Sequence, residues 1–276
     1  NNRKKINSKK MKKKILITGG SGFIGKNISN SFANLVNAEV VIIDDCSSGN
    51  SKFLNEKIKI YKKKINLKNL EKIIEVHKIN YIIHCAANFA NQNSIDNVYL
   101  DLETNISGTL NVLNAAKKYK IIKIINLSSS CIYENFNSVE DSFNPSYDTP
   151  YAISKFSAEQ YMSFFRSYYN MNIINLRLFN IYGPYDYCGK YRNVIPNWIR
   201  LAINNKNLEV HGNGSSSRDF TYVQDLIDAI KLILLKKNIN GTFNFGTSKE
   251  TKIKTLAKKI INISKSKSKM AHTKIR

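Results

Sequence analysis

A glycine-rich turn at residues 18–25, TGGSGFIG, is the feature that most constrains the fold of this chain. It lies between an apolar run and an amphipathic stretch, and it fits both G-x-G-x-x-G and G-x-x-G-x-x-G. Glycines at this spacing allow a tight turn, close approach of backbone to a pyrophosphate, and close packing of helix on strand. The N-terminus of the following helix then offers free N–H groups and a positive dipole end to phosphates. The turn predicts a dinucleotide site, with phosphate-binding residues Gly19, Gly22, Phe23, Ile24 and Gly25.

Asp44 indicates which dinucleotide this is. It ends the second apolar run and stands 19 residues after Gly25, close to the spacing expected for a residue that binds the adenosine ribose. A carboxylate there accepts hydrogen bonds from the ribose 2′-hydroxyl and repels a 2′-phosphate. The cofactor is therefore predicted to be NAD rather than NADP.

Alternating apolar and amphipathic segments predict an α/β fold, a doubly wound, Rossmann-like parallel sheet covered by helices on both faces. The predicted strands lie at 14–18, 39–44, 58–61, 81–84, 123–127 and 172–178. The predicted helices lie at 23–36, 67–77, 98–118 and 150–169. After residue 181 the pattern loosens into a loop, helices at 194–204 and 225–236, and a turn at 212–217. This second region predicts a smaller C-terminal substrate-binding cap on the carboxyl edge of the sheet.

The predicted organisation follows from these segments. Residues 1–10 are a disordered basic leader, and 11–180 form the NAD-binding domain. Residues 181–276 form the cap, with 218–237 packing back on the first domain. The Ser/Lys-rich stretch after residue 263 is expected to be a tail, which makes the cap C-terminally truncated.

Charge, apolar run length and cysteine content limit the partners, metal sites and cellular location that we expect. Lys and Arg number 43 against 20 Asp and Glu, but the lysines are spread along the chain and concentrate only near its ends. Without an RNA-binding motif, zinc finger or helix-turn-helix signature, we expect no specific nucleic-acid partner. No apolar run approaches the roughly 18–20 residues of a membrane span. The four cysteines form no C-x-x-C pair, so we expect no metal site and a reducing, cytoplasmic location.

Catalytic candidates lie where the predicted fold gathers ligands. Tyr151 and Lys155 form a Y-x-x-x-K pair on one face of a helix. A nearby ammonium and a nicotinamide cation favour the phenolate, so Tyr151 is expected to act as a base with a lowered pKa. Ser129 ends the fifth strand, at the edge where doubly wound sheets bind ligands, and could hold the alcohol whose proton Tyr151 takes.

Together these motifs resemble an extended short-chain dehydrogenase/reductase of the nucleotide-sugar epimerase/dehydratase family. The resemblance runs from about residue 12 to 263. It includes His84-Cys85-Ala86-Ala87, Asn105 with Gly108-Thr109, Ser129 with Tyr133, Leu176 to Pro184, and Gly212-Asn213-Gly214 followed by Arg218-Asp219-Phe220.

The resemblance implies a role for each matching residue. Catalysis falls to Ser129, Tyr151 and Lys155. Cofactor contacts extend to Asn66, Leu67, Ala86, Ala87 and Asn105, besides Tyr151 and Lys155. A nucleotide-diphosphate sugar is the implied substrate, bound by Ser129, Tyr151, Asn180, Val194 and Arg218. A homodimer is the candidate assembly.

The two residues after Ser129 bear on the reaction. Family 4,6-dehydratases carry Asp-Glu there and decarboxylases carry Glu at the second position, whereas this chain has Ser130 and Cys131. Cys131 resembles the epimerase/reductases of the GDP-fucose synthase subgroup, but Asn193 stands where their His would fall. The sequence therefore favours a 4-epimerase of UDP-glucose 4-epimerase type, working through a keto-sugar. A 2-epimerase would use the same residues. The dehydratase, decarboxylase and epimerase/reductase reactions also stay open, as does a catalytically silent NAD- or nucleic-acid-binding protein.

Overall fold

The computed structural model describes residues 12–133 and 144–274; the leader predicted at 1–10 lies outside these ranges. The strands are β1 (Lys13–Thr18), β2 (Ala38–Asp44), β3 (Lys59–Lys62), β4 (Tyr81–His84), β5 (Lys123–Ser129), β6 (Ile173–Leu178), β7 (Ile181–Tyr182), β8 (Leu208–His211), β9 (Ser217–Asp219), β10 (Thr221–Tyr222), β11 (Gly241–Phe245), β12 (Glu250–Lys252) and β13 (Met270–Thr273). Seven of them form one parallel sheet in the order β11-β6-β5-β4-β1-β2-β3. The prediction of a Rossmann-like α/β fold is confirmed.

The described helices are α1 (Phe23–Ala33), α2 (Leu67–His77), α3 (Asn91–Asp96), α4 (Val98–Asp101), α5 (Gly108–Lys118), α6 (Pro150–Tyr168), α7 (Val194–Ile203), α8 (Val223–Leu235) and α9 (Ile253–Ile263). A π-helical turn over Leu102–Ser107 joins α4 to α5, so the helix predicted at 98–118 is helical throughout. No helix in the described part of the chain combines the length and apolar composition that crossing a bilayer requires.

Two hydrophobic clusters cover the two faces of the sheet. One contains Ile15 and Ile17 of β1 with Ile28 of α1, and Leu226 and Ile230 of α8 lie in the same cluster. The other packs Leu16 and Ile82 against α2, α5 and α6. Burial on both faces explains why these strands are continuous apolar runs rather than alternating ones.

A third, smaller core lies apart from the sheet and is formed by α7, α9, β8 and β13 around Trp198. The stretch after residue 263, expected to be a tail, therefore contains a strand: β13 pairs in parallel with β8. The sequence also gave no prediction of β11, at the edge of the main sheet, or of the short helix α3.

Two short ladders lie between this third core and the sheet. β7 pairs with β10 in parallel, and β9 pairs with β12 antiparallel. The chain crosses between the sheet and the third core three times. The first passage follows β6, the second runs through β9 and β10 into α8 and β11, and the third runs through β12. The two ladders hold these three passages side by side.

Candidate active site

A cavity of about 1990 Å³ lies along the carboxyl ends of the strands. A single small-molecule site usually occupies roughly 300–1,000 Å³, so the cavity has room for two ligands. The structure brings together on its wall most of the residues proposed from the sequence: Gly19, Gly22, Phe23, Ile24, Gly25, Asp44, Asn66, Ala86, Ala87, Ser129, Tyr151, Lys155, Asn180 and Arg218.

Three other proposed residues do not line the cavity. Leu67 is 38% exposed at the start of α2. Asn105 is buried, and its amide donates to Asp101 and to the hydroxyl of Ser154. Val194 packs against the third core. Asn105 does act on the wall indirectly, because its Oδ1 accepts a hydrogen bond from the lining residue Asn88 at 2.8 Å.

The glycine turn forms one end of the cavity, and its backbone allows no side chain at two positions. Gly19 has φ +67°, and a Cβ there would lie 2.6 Å from the backbone nitrogen of Ala86. A Cβ on Gly25 would collide with the carbonyl oxygen of Gly19. The N-cap of α1 is Gly22, which supplies no capping side chain. The first turn of α1 therefore faces the cavity with its amides, as a pyrophosphate requires.

Asp44 fixes this turn from the end of β2. Its Oδ2 accepts from the Ser21 amide at 2.8 Å and its Oδ1 accepts from the Cys46 amide at 2.7 Å. Burial raises the pKa of the carboxyl, and these two amides oppose that shift by stabilising the charged form. Each oxygen keeps a second lone pair that can accept a ribose hydroxyl.

His84 connects the ends of β1 and β4 to the first turn of α5 beneath the cavity. Its Nδ1 lies 2.6 Å from the Thr18 hydroxyl and its Nε2 lies 3.0 Å from the Thr109 hydroxyl. Thr109 already donates its own hydroxyl proton to the carbonyl of Asn105. It must therefore accept from His84, which places the imidazole proton on Nε2 and makes Nδ1 the acceptor from Thr18.

Ser129, Tyr151 and Lys155 meet at the middle of the cavity. Thr149 caps α6 by accepting from the Ala152 amide, and Pro150 occupies the first turn, so α6 begins directly before Tyr151. Ser129 follows from the end of β5, and its hydroxyl lies near enough to the Tyr151 phenol to act on the pKa of that phenol. Lys155 Nζ donates to the carbonyl of Leu127 at 2.7 Å, so strand and helix are joined at the site.

The pKa values of this pair are shifted by burial. Burial raises the pKa of Tyr151, and the Ser129 hydroxyl acts in the opposite direction. This differs from the lowered pKa expected from the sequence, because both side chains are only 5% exposed and desolvation dominates. Burial likewise lowers the pKa of Lys155 to about 8, against the attraction of Glu159.

Sequence reasoning did not predict an ion pair one turn beyond Lys155. Arg177 of β6 binds Glu159 in bidentate fashion, with its Nη2 2.8 Å from Oε2 and its Nε 3.1 Å from both carboxylate oxygens. Its Nη1 donates to the Tyr133 hydroxyl at 2.7 Å, and that hydroxyl donates to Asn244 of β11 at 2.6 Å. This network fixes the Tyr133 ring on the cavity wall beside Ser129.

Asn180 and Arg218 lie together at the far end of the cavity. Asn180 Nδ2 donates to the carbonyl of Asp219 at 3.0 Å, next to Arg218. Arg218 is exposed on β9, and its Nη1 donates to the Ser217 carbonyl. Asp219 in turn accepts from the amides of Thr247 and Ser248. The guanidinium is therefore held at the rim, with donors left for an anionic ligand.

Residues 183–193, here called the strap, form the wall opposite the sheet. Six of them line the cavity: Asp186, Gly189, Lys190, Tyr191, Arg192 and Asn193. Burial raises the pKa of Asp186 to about 6, and its Oδ2 has no hydrogen-bond partner among the described residues. The sequence showed the strap only as a Gly/Pro/Tyr-rich loop; nothing local marked its charged residues as part of the site.

Comparison with known proteins gives one family and several relatives. The model of the NAD dependent epimerase/dehydratase family matches residues 15–246. A dTDP-D-glucose 4,6-dehydratase of Dictyostelium discoideum is 36% identical over 276 residues, covering 91% of this chain. The chain spans only 62% of the length of that relative. A putative UDP-glucose 4-epimerase of Methanocaldococcus jannaschii is 33% identical, covering 88% of this chain and 79% of that protein.

A solved structure shows the same architecture. The UDP-glucose 4-epimerase of Thermotoga maritima, crystallised with UDP-glucose, superposes with a TM-score of 0.89 at 29% identity. The match covers 95% of this chain and 86% of that one.

Proposed function

Because this chain belongs to the NAD-dependent epimerase/dehydratase family, we propose that it epimerises a nucleotide-diphosphate sugar at C4. The observation that carries the proposal is the composition of the cavity centre. Ser129, Tyr151 and Lys155 meet there. The two positions directly after Ser129 hold Ser130 and Cys131 instead of carboxylates. Oxidation and reduction of an alcohol need only the first three residues. Elimination of water needs an additional acid and base.

The described residues fit NAD. The glycine turn has the cradle that a pyrophosphate needs, because a Cβ on Gly19 or Gly25 would fill it. Asp44 presents a carboxylate at the end of β2, where a 2′-phosphate would be repelled. When bound, NAD⁺ would supply the hydride acceptor, a positive charge, and the hydride that later returns. The protein has to supply proton transfer and the positioning of the sugar.

Proton transfer falls to Tyr151. Its phenolate accepts the proton of the sugar 4-hydroxyl as the C4 hydrogen leaves with its electron pair, which gives a 4-keto sugar. Ser129 holds the 4-oxygen by a hydrogen bond, and its hydroxyl favours the phenolate against the effect of burial. The Lys155 ammonium, anchored on Leu127, adds a cation that favours the phenolate. Tyr151 returns the proton to the 4-oxygen when C4 of the keto sugar accepts hydride on its opposite face.

Binding of the substrate diphosphate falls to Asn180 and Arg218 at the other end. An arginine fork can make bidentate, charge-assisted bonds to phosphate oxygens. Attachment by the diphosphate would leave the sugar free to rotate between the two hydride transfers. A large cavity is consistent with this rotation.

The 4,6-dehydratase reaction is the second candidate, supported by the 36% identical relative of that name. The two reactions differ in product, so one experiment separates them. The protein would be incubated with NAD⁺ and, in turn, UDP-glucose, UDP-N-acetylglucosamine, UDP-glucuronate and dTDP-glucose, and proton NMR would follow the anomeric signals. A new anomeric signal of a C4 epimer supports the proposal. A C6 methyl signal would indicate dehydration, a pentose product decarboxylation, and no turnover of any sugar would contradict both candidates.

We also propose a homodimer formed through α4, the π-helical turn and α6. These neighbouring segments expose a series of apolar side chains: Tyr99, Leu102, Ile153, Tyr161, Phe164 and Tyr168. Tyr99 is 89% exposed and Tyr168 is 72% exposed, which is unusual for a patch of this composition on a monomer. Sedimentation of the parent and of Phe164→Lys would test the interface.

The four free thiols fit the reducing, cytoplasmic location that we propose.

A further inference from the structure

Hydrogen bonds attach the strap to elements on both sides of the cavity. On one side it meets α1 and the loop after β2. Asn27 of α1 donates to the carbonyl of Pro184 at 2.7 Å, and Arg192 donates to the carbonyl of Ser48 at 2.7 Å. Ser48 lines the cavity beside Asp44 and Asp45, so this attachment lies at the adenosine end of the cofactor groove.

Lys26 strengthens the same attachment from within. It follows Gly25 on α1 and is only 1% exposed. Its ammonium lies 5.5 Å from the centre of the Tyr185 ring and 5.6 Å from that of Tyr187, and it donates to Asn50 at 3.2 Å. An ammonium within about 6 Å of two aromatic ring centres makes cation–π contacts with both. This end of the strap is therefore fixed on the helix that holds the pyrophosphate.

The segment at Lys190 and Tyr191, between these attached parts of the strap, is held differently, by one exposed carboxylate on α3. Asp96 Oδ2 accepts from Tyr191 at 2.6 Å and from Lys190 at 3.1 Å, while its Oδ1 accepts from Gln92 at 2.9 Å. These three hydrogen bonds lower the pKa of Asp96 to about 2, so it is charged at all ordinary pH. Lys190 is 73% exposed. This attachment can open without disturbing a core.

We propose that Asp96 is a latch for the cofactor: it holds the strap across the groove, and the opening of this attachment sets the rate at which NAD leaves. The strap crosses from the adenosine side to α3, and α3 touches the catalytic helix, since Ser94 accepts from the Tyr151 amide at 3.0 Å. A dinucleotide lying between the glycine turn and Tyr151 must pass beneath the strap. Asp96 is thus a positioning residue for cofactor retention and touches no reacting atom. The proposal goes beyond the C4 reaction and does not depend on it.

The test is the release of NADH from the intact protein. The protein would be loaded with NADH and mixed with a large excess of NAD⁺, and the loss of nicotinamide fluorescence would give the dissociation rate. We expect Asp96→Asn to release NADH about three- to fivefold faster, because exposed ion pairs are weak and affinity changes within one site appear mainly in the dissociation rate. The matched control is Asp228→Asn on α8, since Asp228 also accepts from a glutamine, Gln224, and a lysine, Lys231.

A salt series distinguishes the latch from a general effect on stability. Salt screens an exposed ion pair, so release from the parent should accelerate with salt more steeply than release from Asp96→Asn. Lys190→Met provides a second variant at an exposed position and should also accelerate release. Equal release rates in the parent and in both strap variants would overturn the proposal. So would equal acceleration by Asp228→Asn, or identical salt dependence of the parent and Asp96→Asn.

Discussion

Acidification should destabilise this protein through His84, whose environment accepts only the neutral imidazole. The ring is 2% exposed, accepts a hydrogen bond from Thr18 at Nδ1 and donates one to Thr109 from Nε2. A second ring proton would point at the donor side of Thr18, in a region without water access. Burial, together with the charge of Lys155, lowers the pKa of His84 from 6.5 to about 3.

The sign and size of the effect follow from linkage. Between pH 6.5 and 3 the unfolded chain binds a proton at this residue and the folded chain does not, so stability falls as the pH falls. The slope is about 1.4 kcal/mol per pH unit. Between pH 7.5 and pH 5 the His84 contribution to the free energy of unfolding should therefore decrease by about 2 kcal/mol.

Urea unfolding followed by circular dichroism at pH 7.5, 6 and 5 measures this decrease. His84→Gln does not titrate, so its loss of stability over the same range should be smaller than that of the parent by about 2 kcal/mol. His211→Gln is the control, because His211 is exposed and should leave the pH dependence of the parent unchanged. If His84→Gln and the parent lose the same free energy, the buried neutral imidazole has been wrongly assigned.

Three further outcomes concern the ligands. Asp44→Ala should relax the preference for NAD⁺ over NADP⁺, measured as the ratio of the two dissociation constants; equal affinity of the parent for both would contradict the role of the carboxylate. Tyr151→Phe should abolish turnover and leave nucleotide-sugar affinity nearly unchanged, because the ring stays and the proton acceptor goes, whereas Lys155→Ala should lose both turnover and cofactor affinity; a Tyr151→Phe variant with most of the parent kcat would place the base elsewhere. Arg218→Ala should weaken UDP binding about ten- to a hundredfold, since a charge-assisted contact contributes roughly 1.5–3 kcal/mol, and Arg218→Lys should recover part of the loss. Calorimetric titration of UDP and NAD⁺ into the Arg218 variants checks this, and a loss of NAD⁺ affinity instead would contradict the placement of the diphosphate.

Local sequence patterns predicted the strands that are buried on both faces and the helices that are buried along one face. β4 and α2 have the predicted bounds, because an apolar run between turn residues and a 3.6-residue period are both local signals. β11 escaped prediction because it is an edge strand beginning with Gly241, with two of its five residues exposed. β13 escaped because its pairing with β8, and not its own Ser/Lys-rich surroundings, makes it a strand.

The features of the site also divide into those that local sequence patterns could predict and those that they could not. The glycine turn, Asp44 and the Tyr151/Lys155 pair are short motifs whose spacing has a physical meaning. The sequence proposed them as site residues, and the structure places them on the wall of one cavity. The strap could not be found, because Asp96 and its partners Lys190 and Tyr191 are 94 and 95 residues apart. The raised pKa of Tyr151 could not be predicted either, since desolvation depends on everything that surrounds the ring.

The two ladders between the sheet and the third core have a mechanical consequence. A lobe joined to the rest of a protein by one passage of chain can swing about it, but here three passages cross side by side. β7 and β10 fasten the first passage to the second, and β9 and β12 fasten the second to the third. Bending at one passage would break backbone hydrogen bonds at its neighbour, so the junction is braced against rotation. We therefore expect ligands to enter and leave the cavity through movements of the loops around it, with little rotation of the third core.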